Sequence, residues 1–571
     1  MNGSQSTRIR FVFAGIAIAA LVLAASLYSR QIVSGKEYAA KADRQYARPS
    51  ANLLDRGLIY FSGKDDSRVA AATIDQGSLV YVNPKLVIDA KTSYDALSQF
   101  IEMDRAFFLK KTADKSNSYF ELADKVGKDK AQSITALSLP GIGIIRESWR
   151  SYPGNELAAH AIGLVGESNS TSTIEGKYGL ERYYEKTLNR PSIVSSKSIF
   201  ASIFAGVRET LVGDGEKRGD IVTTIEPTIQ GYLEKILADT DKSWHPEEIG
   251  GIVIDPKTGE VIAMSSLPTF NPNDTSSVKD PSVFSDPLME HVYEMGSIMK
   301  PLTMSIGLDT GNFTPSSTYD DTGTMKLNGK TIGNYDGKAR GVIDMQQILS
   351  QSLNVGAATI GMKVGNTVMA DYLSRFGLNM KTGIDLPNEA VGQMGNLKNG
   401  KEIDVATASY GQGIAVSPIE MTKSLAILAN GGYMIYPHVV KEIDYTDGSK
   451  DMISIKRGEQ VIRMETATAV TKMLVEVVDK ALKNGAIKME RYTIAAKTGT
   501  AQIPDRVHGG YYTDMYLHSF FGYFPAYDPE FLVFLYQIHP QGAEYASATL
   551  TNPFNQLAKF LINYYNIPPD R

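Results

Sequence analysis

The sequence predicts an α+β protein with a single N-terminal transmembrane helix, a mixed domain after it, and a C-terminal domain built on an antiparallel five-stranded sheet flanked by helices. Three observations lead to this prediction. An uncharged apolar run lies near the N-terminus, five apolar strand patterns occur as a group of two and a later group of three, and a block of helical patterns lies between the two groups. With 571 residues the chain is long enough for two or more domains.

The composition excludes several functions. Hydrophobic residues make up 43% and charged residues 21% of the chain, as in an ordinary globular protein. The net charge of -5 offers no basic surface, so we expect no nucleic-acid partner. The chain has no cysteine for thiol catalysis, disulfides or zinc ligation, and its seven histidines lack metal-ligand spacing. We therefore expect neither a metal nor a cofactor.

The N-terminal apolar run, residues 11–28, predicts a membrane anchor. It contains 18 residues without a charge, which as a helix would be about 27 Å long. Arg8 and Arg10 precede it, so we expect residues 1–10 to form a cytoplasmic tail and the bulk of the chain to lie outside. A signal peptide cleaved near residues 24–26 and a buried core helix are the alternatives. The run predicts a single-pass protein of the inner or plasma membrane, with its catalytic domain extracytoplasmic.

The region between the anchor and residue 245 has a mixed pattern. Residues 94–111 ("YDALSQFIEMDRAFFLKK") predict a helix, and residues 221–240 predict a short strand that leads into an amphipathic helix. We expect a separate mixed domain over residues 29–245.

From residue 246 onwards the strand patterns are clearer. "GGIVIDPKTGEVIAMSS" (250–266) predicts a β-hairpin, and three further strands are predicted around residues 492–503, 518–526 and 530–538. Helical patterns fill the space between, and residues 552–566 predict a terminal helix. This order is typical of an antiparallel sheet flanked by helices.

The tripeptide Lys-Thr-Gly occurs three times, starting at Lys257, Lys381 and Lys497. The first copy lies in the predicted hairpin turn, and the second lies between a helix end and a proline, so both are predicted to be loops. The third has apolar and β-branched neighbours on both sides and is predicted to lie on a strand. Only this copy would present its side chain on a defined face, so only this copy is predicted to be functional.

Ser297 and Lys300 have the spacing of a nucleophile and its base. A serine needs a base within hydrogen-bond reach, and residues i and i+3 share a helix face. Gly296 and Pro301 indicate that a helix begins here, and its positive end would disfavour the ammonium form of the lysine. The segment "SSVK" (276–279) has the same spacing but lies in a polar loop.

Three motifs occur in order along the chain: Ser297-x-x-Lys300, then Ser352-Leu353-Asn354, then Lys497-Thr498-Gly499. Such a set is found in penicillin-binding proteins and class A β-lactamases. The second motif by itself could equally be a polar kink between two helices.

Longer segments carry a resemblance to one family. "YEMGSIMKPLTM", "SQSLNVGAATIG", "YGQGIAVSPIEM" and "AAKTGTAQ", with "LPGIGIIRESWRSYPGNELAAHAIGLVG" and "GKYGLERYYEKTL" before them, are similar to the class B penicillin-binding proteins, the monofunctional peptidoglycan D,D-transpeptidases. The division-type branch is the most similar. The resemblance implies a pedestal (dimerisation-type) domain at 29–245 and a transpeptidase domain at 246–571. Met295, Leu353 and Ala496 depart from the family pattern but remove no reacting group.

The resemblance also implies roles for the catalytic residues. Ser297 would attack the carbonyl between the two terminal D-alanines of a stem peptide and form an acyl-enzyme, while Lys300 takes its proton. Ser352 would pass a proton to the leaving amine, and Asn354 would hold Lys300 and the substrate amide.

The substrate-binding residues implied are Lys497, Thr498, Gly499 and Thr500. The lysine and the threonine hydroxyls would bind the terminal carboxylate, and the backbone N–H groups of Ser297 and Thr500 would form the oxyanion hole. The implied partners are donor and acceptor stem peptides, β-lactam inhibitors, and a SEDS-type glycosyltransferase with other division proteins.

Other functions are weighed against this one. A D,D-carboxypeptidase or a β-lactamase would use the same serine and pass the acyl group to water, and a non-catalytic division scaffold would keep the site as a relic. A P-loop is excluded because "GTMKLNGKT" (323–331) has its glycines one residue too far apart, and its Asn-Gly pair signals a turn. The acceptor amine, lysine or diaminopimelate, stays open.

Overall fold

The computed structural model describes residues 54–168, 174–190 and 217–571. The tail predicted at 1–10 and the transmembrane helix predicted at 11–28 lie outside these ranges. Within them, no helix combines the length and the apolar character needed to span a membrane.

The strands of the described ranges follow one another in chain order as β1 (Ile59–Ser62), β2 (Arg68–Val82), β3 (Phe120–Val126), β4 (Ile142–Ser151), β5 (Val165–Glu167), β6 (Ile174–Gly176), β7 (Gly219–Thr223), β8 (Glu248–Ile254), β9 (Val261–Leu267), β10 (Thr318–Asp321), β11 (Thr324–Leu327), β12 (Lys330–Gly333), β13 (Gly341–Asp344), β14 (Val440–Tyr445), β15 (Lys450–Met452), β16 (Ala495–Pro504), β17 (Tyr511–Phe524) and β18 (Phe531–Ile538).

The α-helices are α1 (Ala90–Leu97), α2 (Arg105–Ala113), α3 (Lys128–Ala136), α4 (Ala159–Ile162), α5 (Gly179–Tyr183), α6 (Glu185–Leu188), α7 (Pro227–Trp244), α8 (Pro287–Glu290), α9 (Lys300–Asp309), α10 (Met345–Ser350), α11 (Asn354–Val364), α12 (Asn366–Arg375), α13 (Glu402–Ala408), α14 (Pro418–Ala429), α15 (Met464–Glu476), α16 (Ala546–Thr549) and α17 (Thr551–Tyr565). Short 3-10 helices connect several of them, including one at Gly296–Met299.

The described residues fall into two compact units. In the first, residues 74–150, strands β3 and β4 pair with the second part of β2. A small apolar core that includes Leu97, Phe108 and Ile134 joins helices α1, α2 and α3. The single helix predicted at 94–111 is wrong: α1 ends at Leu97 and α2 begins at Arg105. Asp104 starts the second helix because its carboxylate accepts a hydrogen bond from the N–H of Phe107, 2.6 Å away.

The second unit contains the predicted five-stranded sheet, with the order β16-β17-β18-β8-β9. All its pairings are antiparallel, as predicted. Helix α7 packs against β8 and β9, α17 against β17 and β18, and α15 against β16. The predicted hairpin is β8–β9, and Gly259 at its turn has a φ of +86°. The first Lys-Thr-Gly is therefore a turn because its glycine takes the left-handed conformation.

A second sheet in the same unit has the order β15-β14-β7-β1-β2, of which β2 contributes its first part. Strands β1 and β7 are parallel, and β14 pairs antiparallel with β7. This sheet contains strands from before and after residue 245 in the sequence. The boundary between the two compact units therefore does not fall at that residue. The division at 245 stays a prediction.

The helical pattern around residue 352 is interrupted. Helix α10 ends at Ser350, α11 begins at Asn354, and Ser352 between them has a φ of +55°. A non-glycine residue in this region is strained by about 1–3 kcal/mol and persists only when its surroundings hold it. The turn places Ser352 and Asn354 next to each other at the start of a helix.

The second Lys-Thr-Gly is a loop, as predicted. The backbone N–H groups of Thr382 and Gly383 donate hydrogen bonds to the carboxylate of Glu389. Since Thr382 is buried within this turn, the motif has a structural explanation at this position.

Candidate active site

The nucleophile candidate lies in the 3-10 helix Gly296–Met299, directly before α9. In a 3-10 helix, residues i and i+3 are eclipsed, so Ser297 and Lys300 point the same way. The Nζ atom of Lys300 donates a hydrogen bond to Ser297 Oγ across 2.9 Å. The spacing seen in the sequence thus becomes direct contact.

Lys300 has further partners on the neighbouring turn. Its Nζ atom lies 2.6 Å from the carbonyl oxygen of Ser352, 3.2 Å from Ser352 Oγ and 2.8 Å from Asn354 Oδ1. The Asn354 amide group donates in turn to the carbonyl of Gly333 across 2.9 Å, which assigns its oxygen to the lysine. Lys300 is held from several sides.

Burial lowers the pKa of Lys300 well below its usual value, and the positive charge of Lys497 lowers the pKa further. The side chain is only 1% exposed. A buried ammonium loses its hydration, so the neutral amine is favoured. The effect of the positive helix end stays a prediction, whereas burial and the charge of Lys497, which is far away along the chain but close in space, come from the tertiary structure. A neutral lysine can accept the proton of Ser297.

Lys497 lies on β16, which is an edge strand of the five-stranded sheet. Its Nζ atom donates to Ser352 Oγ and to the carbonyl of Thr498, each at 3.0 Å. Burial lowers the pKa of Lys497 to about 7. The hydroxyl of Ser352 therefore lies between two lysine nitrogens, where it can pass a proton.

Glycines allow the nucleophile turn to lie against β16. A Cβ atom on Gly499 would come within 2.3 Å of Ser519 Oγ and 2.7 Å of the carbonyl oxygen of Met295. A Cβ atom on Gly296, which has a φ of +63°, would come within 2.7 Å of the carbonyl oxygen of Thr500 on β16. Only residues without a side chain permit these approaches. The glycine of the third Lys-Thr-Gly is thus explained by packing beneath the nucleophile.

A cavity of about 940 Å³ opens over these groups. Its wall includes Ser297, Ser352, Asn354, Lys497, Thr498 and Thr500. The hydroxyl oxygen of Thr500 accepts a hydrogen bond from the N–H of Ala546 across 3.1 Å, so its proton is available for an anion in the cavity. The structure brings together all eight residues predicted from the sequence, with Lys300 beneath the wall and Gly499 packed behind it.

Sequence reasoning missed part of the wall. Tyr335 and Tyr545 both line the cavity, and their rings meet edge to face with centroids 5.9 Å apart. The Gly333 carbonyl and Asn334 also belong to the site. No motif or spacing identifies these residues, because they reach the cavity through long-range packing. The only sequence signal near them is the Asn-Gly turn.

The competing motif matches have other roles. Ser276 donates its hydroxyl to Asp274 Oδ1 across 2.7 Å in an exposed loop, and Lys257 forms an exposed ion pair with Asp528. The P-loop-like segment is the hairpin β11–β12, whose turn residues Asn328 and Gly329 have φ values of +48° and +79°. Such a pair is typical of a type I′ turn. Across the described ranges, no cluster of His, Asp or Glu could hold a metal ion.

The arrangement can perform acyl transfer. A serine in contact with a lysine of depressed pKa, beside a second hydroxyl and a second cation, defines a serine enzyme that works through a covalent acyl intermediate. Residues 249–559 match the family model of the penicillin binding protein transpeptidase domain, and residues 55–191 match that of the penicillin-binding protein dimerisation domain. The chain belongs to the penicillin-binding proteins, and within them to class B.

Three known proteins illustrate the similarity. The stage V sporulation protein D of Bacillus subtilis (strain 168) is 28% identical over 564 residues, which cover 97% of this chain and 84% of that protein. The peptidoglycan D,D-transpeptidase FtsI of Escherichia coli (strain K12) is 27% identical over 558 residues, 95% of this chain and 89% of FtsI. The crystal structure of penicillin binding protein 2X from Streptococcus thermophilus has a TM-score of 0.72 at 19% identity, covering 90% of this chain and 81% of that one. This last comparison supports the fold alone.

Proposed function

We propose that this protein is a serine-type peptidoglycan D,D-transpeptidase that cross-links stem peptides in septal cell-wall synthesis. Family membership and relatives such as FtsI support this activity. The observation that carries the proposal is the 2.9 Å contact between Lys300 Nζ and Ser297 Oγ, made by a lysine whose pKa burial lowers well below its usual value. It provides an activated nucleophile.

Acylation begins with attack by Ser297 Oγ on the carbonyl carbon between the two terminal D-alanines. The serine proton moves to Lys300 as the new C–O bond forms, and the N–H groups of Ser297 and Thr500 stabilise the oxyanion. Ser352 contacts both lysine nitrogens, so it relays the proton held by Lys300 to the leaving nitrogen as the C–N bond breaks, and Lys300 becomes neutral again. D-Alanine departs, and the donor stem stays attached as an ester.

The strand β16 positions the donor. Lys497 and the hydroxyls of Thr498 and Thr500 face the cavity at its wall, and the terminal carboxylate of the donor binds there through charge-assisted hydrogen bonds. Carboxylate binding favours the ammonium form of Lys497, whose pKa in the free protein is near 7. Gly499 allows the strand to approach the nucleophile turn closely.

Deacylation completes the cross-link. An amine of a second stem attacks the ester carbonyl, its proton returns to Ser297 through Lys300, and a new amide bond forms. The cavity of about 940 Å³ has room for peptide on both sides of the ester. A β-lactam acylates the same serine and blocks it.

The domain boundaries and the membrane topology that we propose are those predicted from the sequence. Residues 1–10 form the cytoplasmic tail, 11–28 the membrane anchor, 29–245 the pedestal and 246–571 the transpeptidase domain, which places the catalytic domain outside the plasma or inner membrane. The family matches at 55–191 and 249–559 support the two folded domains. A SEDS-type glycosyltransferase is the proposed partner that supplies the glycan strands, together with other division proteins.

Labelling with a fluorescent penicillin, followed by mapping of the modified peptide, tests this function. We expect the label on Ser297, its loss in Ser297→Ala, and full labelling of the matched control Ser276→Ala. A donor peptide ending in D-Ala-D-Ala should give a cross-linked product when an amine acceptor is present. Label on another serine refutes the nucleophile. Rapid hydrolysis of the acyl-enzyme with no transfer to the amine shows a carboxypeptidase or β-lactamase instead.

A further inference from the structure

A buried amide and carboxylate lie behind the Ser352–Asn354 turn. Both oxygens of Asp321 accept hydrogen bonds from the amide nitrogen of Asn334, each at 3.0 Å. Asp321 is fully buried and Asn334 is 6% exposed. A carboxylate can only accept, so this contact decides which way the amide is turned. The oxygen of Asn334 must then face the opposite side.

The oxygen of Asn334 accepts a hydrogen bond from the backbone N–H of Val355 across 3.1 Å. Val355 is the second residue of α11 and follows Asn354 directly. The carbonyl of Gly333, one residue before Asn334, accepts from the Asn354 amide across 2.9 Å. The end of β12 therefore holds Asn354 through its side chain and through the backbone that follows it.

The same segment also reaches the other side of the turn. Arg340 donates from Nε to Gln351 Oε1 across 3.2 Å, directly before Ser352. Ser352 has a φ of +55°, a conformation that needs support from its surroundings. The turn that carries two of the groups around Lys300 is thus tied to residues 321–340 at three points.

We propose that Asp321 and Asn334 are positioning residues for acylation, which hold the Ser352–Asn354 turn so that Asn354 Oδ1 and Ser352 Oγ stay on Lys300. This inference rests on the proposed function, since it concerns the residues around the proposed base. Asp321 is fully buried and Asn334 lies at the cavity wall, and the role proposed here needs no contact of either residue with the substrate. They act through Val355 and Asn354.

The test compares Asn334→Ala and Asp321→Asn with the exchange variant Asp321→Asn/Asn334→Asp. The exchange places the amide donor at 321 and the carboxylate acceptor at 334, which restores the contact between the two side chains and the acceptor for Val355. Ser424→Ala is the control, because its buried hydroxyl donates to the carbonyls of Glu420 on the same helix, α14, and of Phe376 after α12, both apart from the Ser352–Asn354 turn. For each full-length protein, the acylation rate constant and the non-covalent dissociation constant for a penicillin are measured separately, on the alkaline plateau of the pH profile.

Displacement of reacting groups by about 1 Å costs on the order of 100-fold in rate. We expect Asn334→Ala to lower the acylation rate constant about 10- to 100-fold and to leave the dissociation constant within about threefold. Asp321→Asn, which keeps one acceptor, should show a smaller loss. The exchange variant should recover most of the rate, and Ser424→Ala should lose stability without a change in the rate constant.

The outcomes separate this inference from the function itself. Wild-type protein that penicillin does not acylate would refute the proposed function. Normal acylation of the wild type with an unchanged rate constant in Asn334→Ala would refute the positioning role alone. If Asn334→Ala does not fold, the other two variants decide: an exchange variant slower than Asp321→Asn overturns the inference.

Discussion

Lys300 and Lys497 approach the same hydroxyl oxygen, Ser352 Oγ, at 3.2 and 3.0 Å. Two ammonium groups this close to one atom repel each other, and both are removed from water. The pair therefore favours at least one neutral lysine, as a site with one base and one carboxylate-binding cation needs.

The first prediction concerns this pair. The charge on Lys497 is one cause of the depressed pKa of Lys300, so Lys497→Ala should raise that pKa. Acylation requires neutral Lys300, and its rate rises with pH through the lysine pKa. The acid limb of the profile should therefore move to higher pH, while burial, the larger cause, still keeps the Lys300 pKa below its usual value. The measurement is the acylation rate against pH with a substrate analogue that lacks the carboxylate. A limb that moves to lower pH would contradict the assignment.

The second prediction concerns the base. Lys300→Arg keeps a cation but provides no proton acceptor, because a guanidinium does not deprotonate at usable pH. We expect acylation to fall at least about 100-fold, measured as the rate of penicillin labelling. Lys279→Arg, in the other Ser-x-x-Lys segment, should label at the wild-type rate. Wild-type acylation by Lys300→Arg would show that another group takes the proton.

The third prediction separates the three copies of Lys-Thr-Gly. Lys497→Ala removes a charge-assisted hydrogen bond to the donor carboxylate, worth about 1.5–3 kcal/mol, or roughly a 10- to 150-fold drop in acylation efficiency. Lys257→Ala and Lys381→Ala change a turn and a loop, and should stay within about twofold. The drop for Lys497→Ala should shrink with a substrate analogue that lacks the carboxylate. Equal losses in all three variants would mean that the strand position of Lys497 is not what matters.

The fourth prediction concerns Gly499. A methyl group there would collide with Ser519 Oγ and with the Met295 carbonyl, so β16 and the nucleophile turn would have to separate. We expect Gly499→Ala to lower the free energy of unfolding by about 1–3 kcal/mol and to slow acylation. In Gly395→Ala, the added Cβ would meet no described atom within 4 Å, and this control should keep both properties. Denaturant unfolding and penicillin labelling measure the two effects, and an unchanged Gly499→Ala protein would contradict the packing argument.

Several parts of the fold and site could be predicted because they depend on local patterns. The β8–β9 hairpin follows from two alternating runs around a turn, and the strand of Lys497 follows from its β-branched neighbours. The helix predicted at 94–111 was wrong because the periodicity extends through a break that Asp104 enforces as a cap. Periodicity reports which faces are apolar and is less informative about where a helix ends.

The sequence by itself determined the order of the three motifs, the i, i+3 spacing that places Ser297 and Lys300 on one helix face, and the strand that carries Lys497. The order can be read directly from the chain, and the spacing and the strand each involve residues only a few positions apart, so propensity and periodicity determine them. The tertiary structure decided the rest. It buried Lys300 and Lys497 together, placed Ser352 between them, and brought Asn334 and Tyr545 to the same cavity. A pKa depends on solvent and on charges in space, and residues that chain folding brings together from distant positions leave no local pattern.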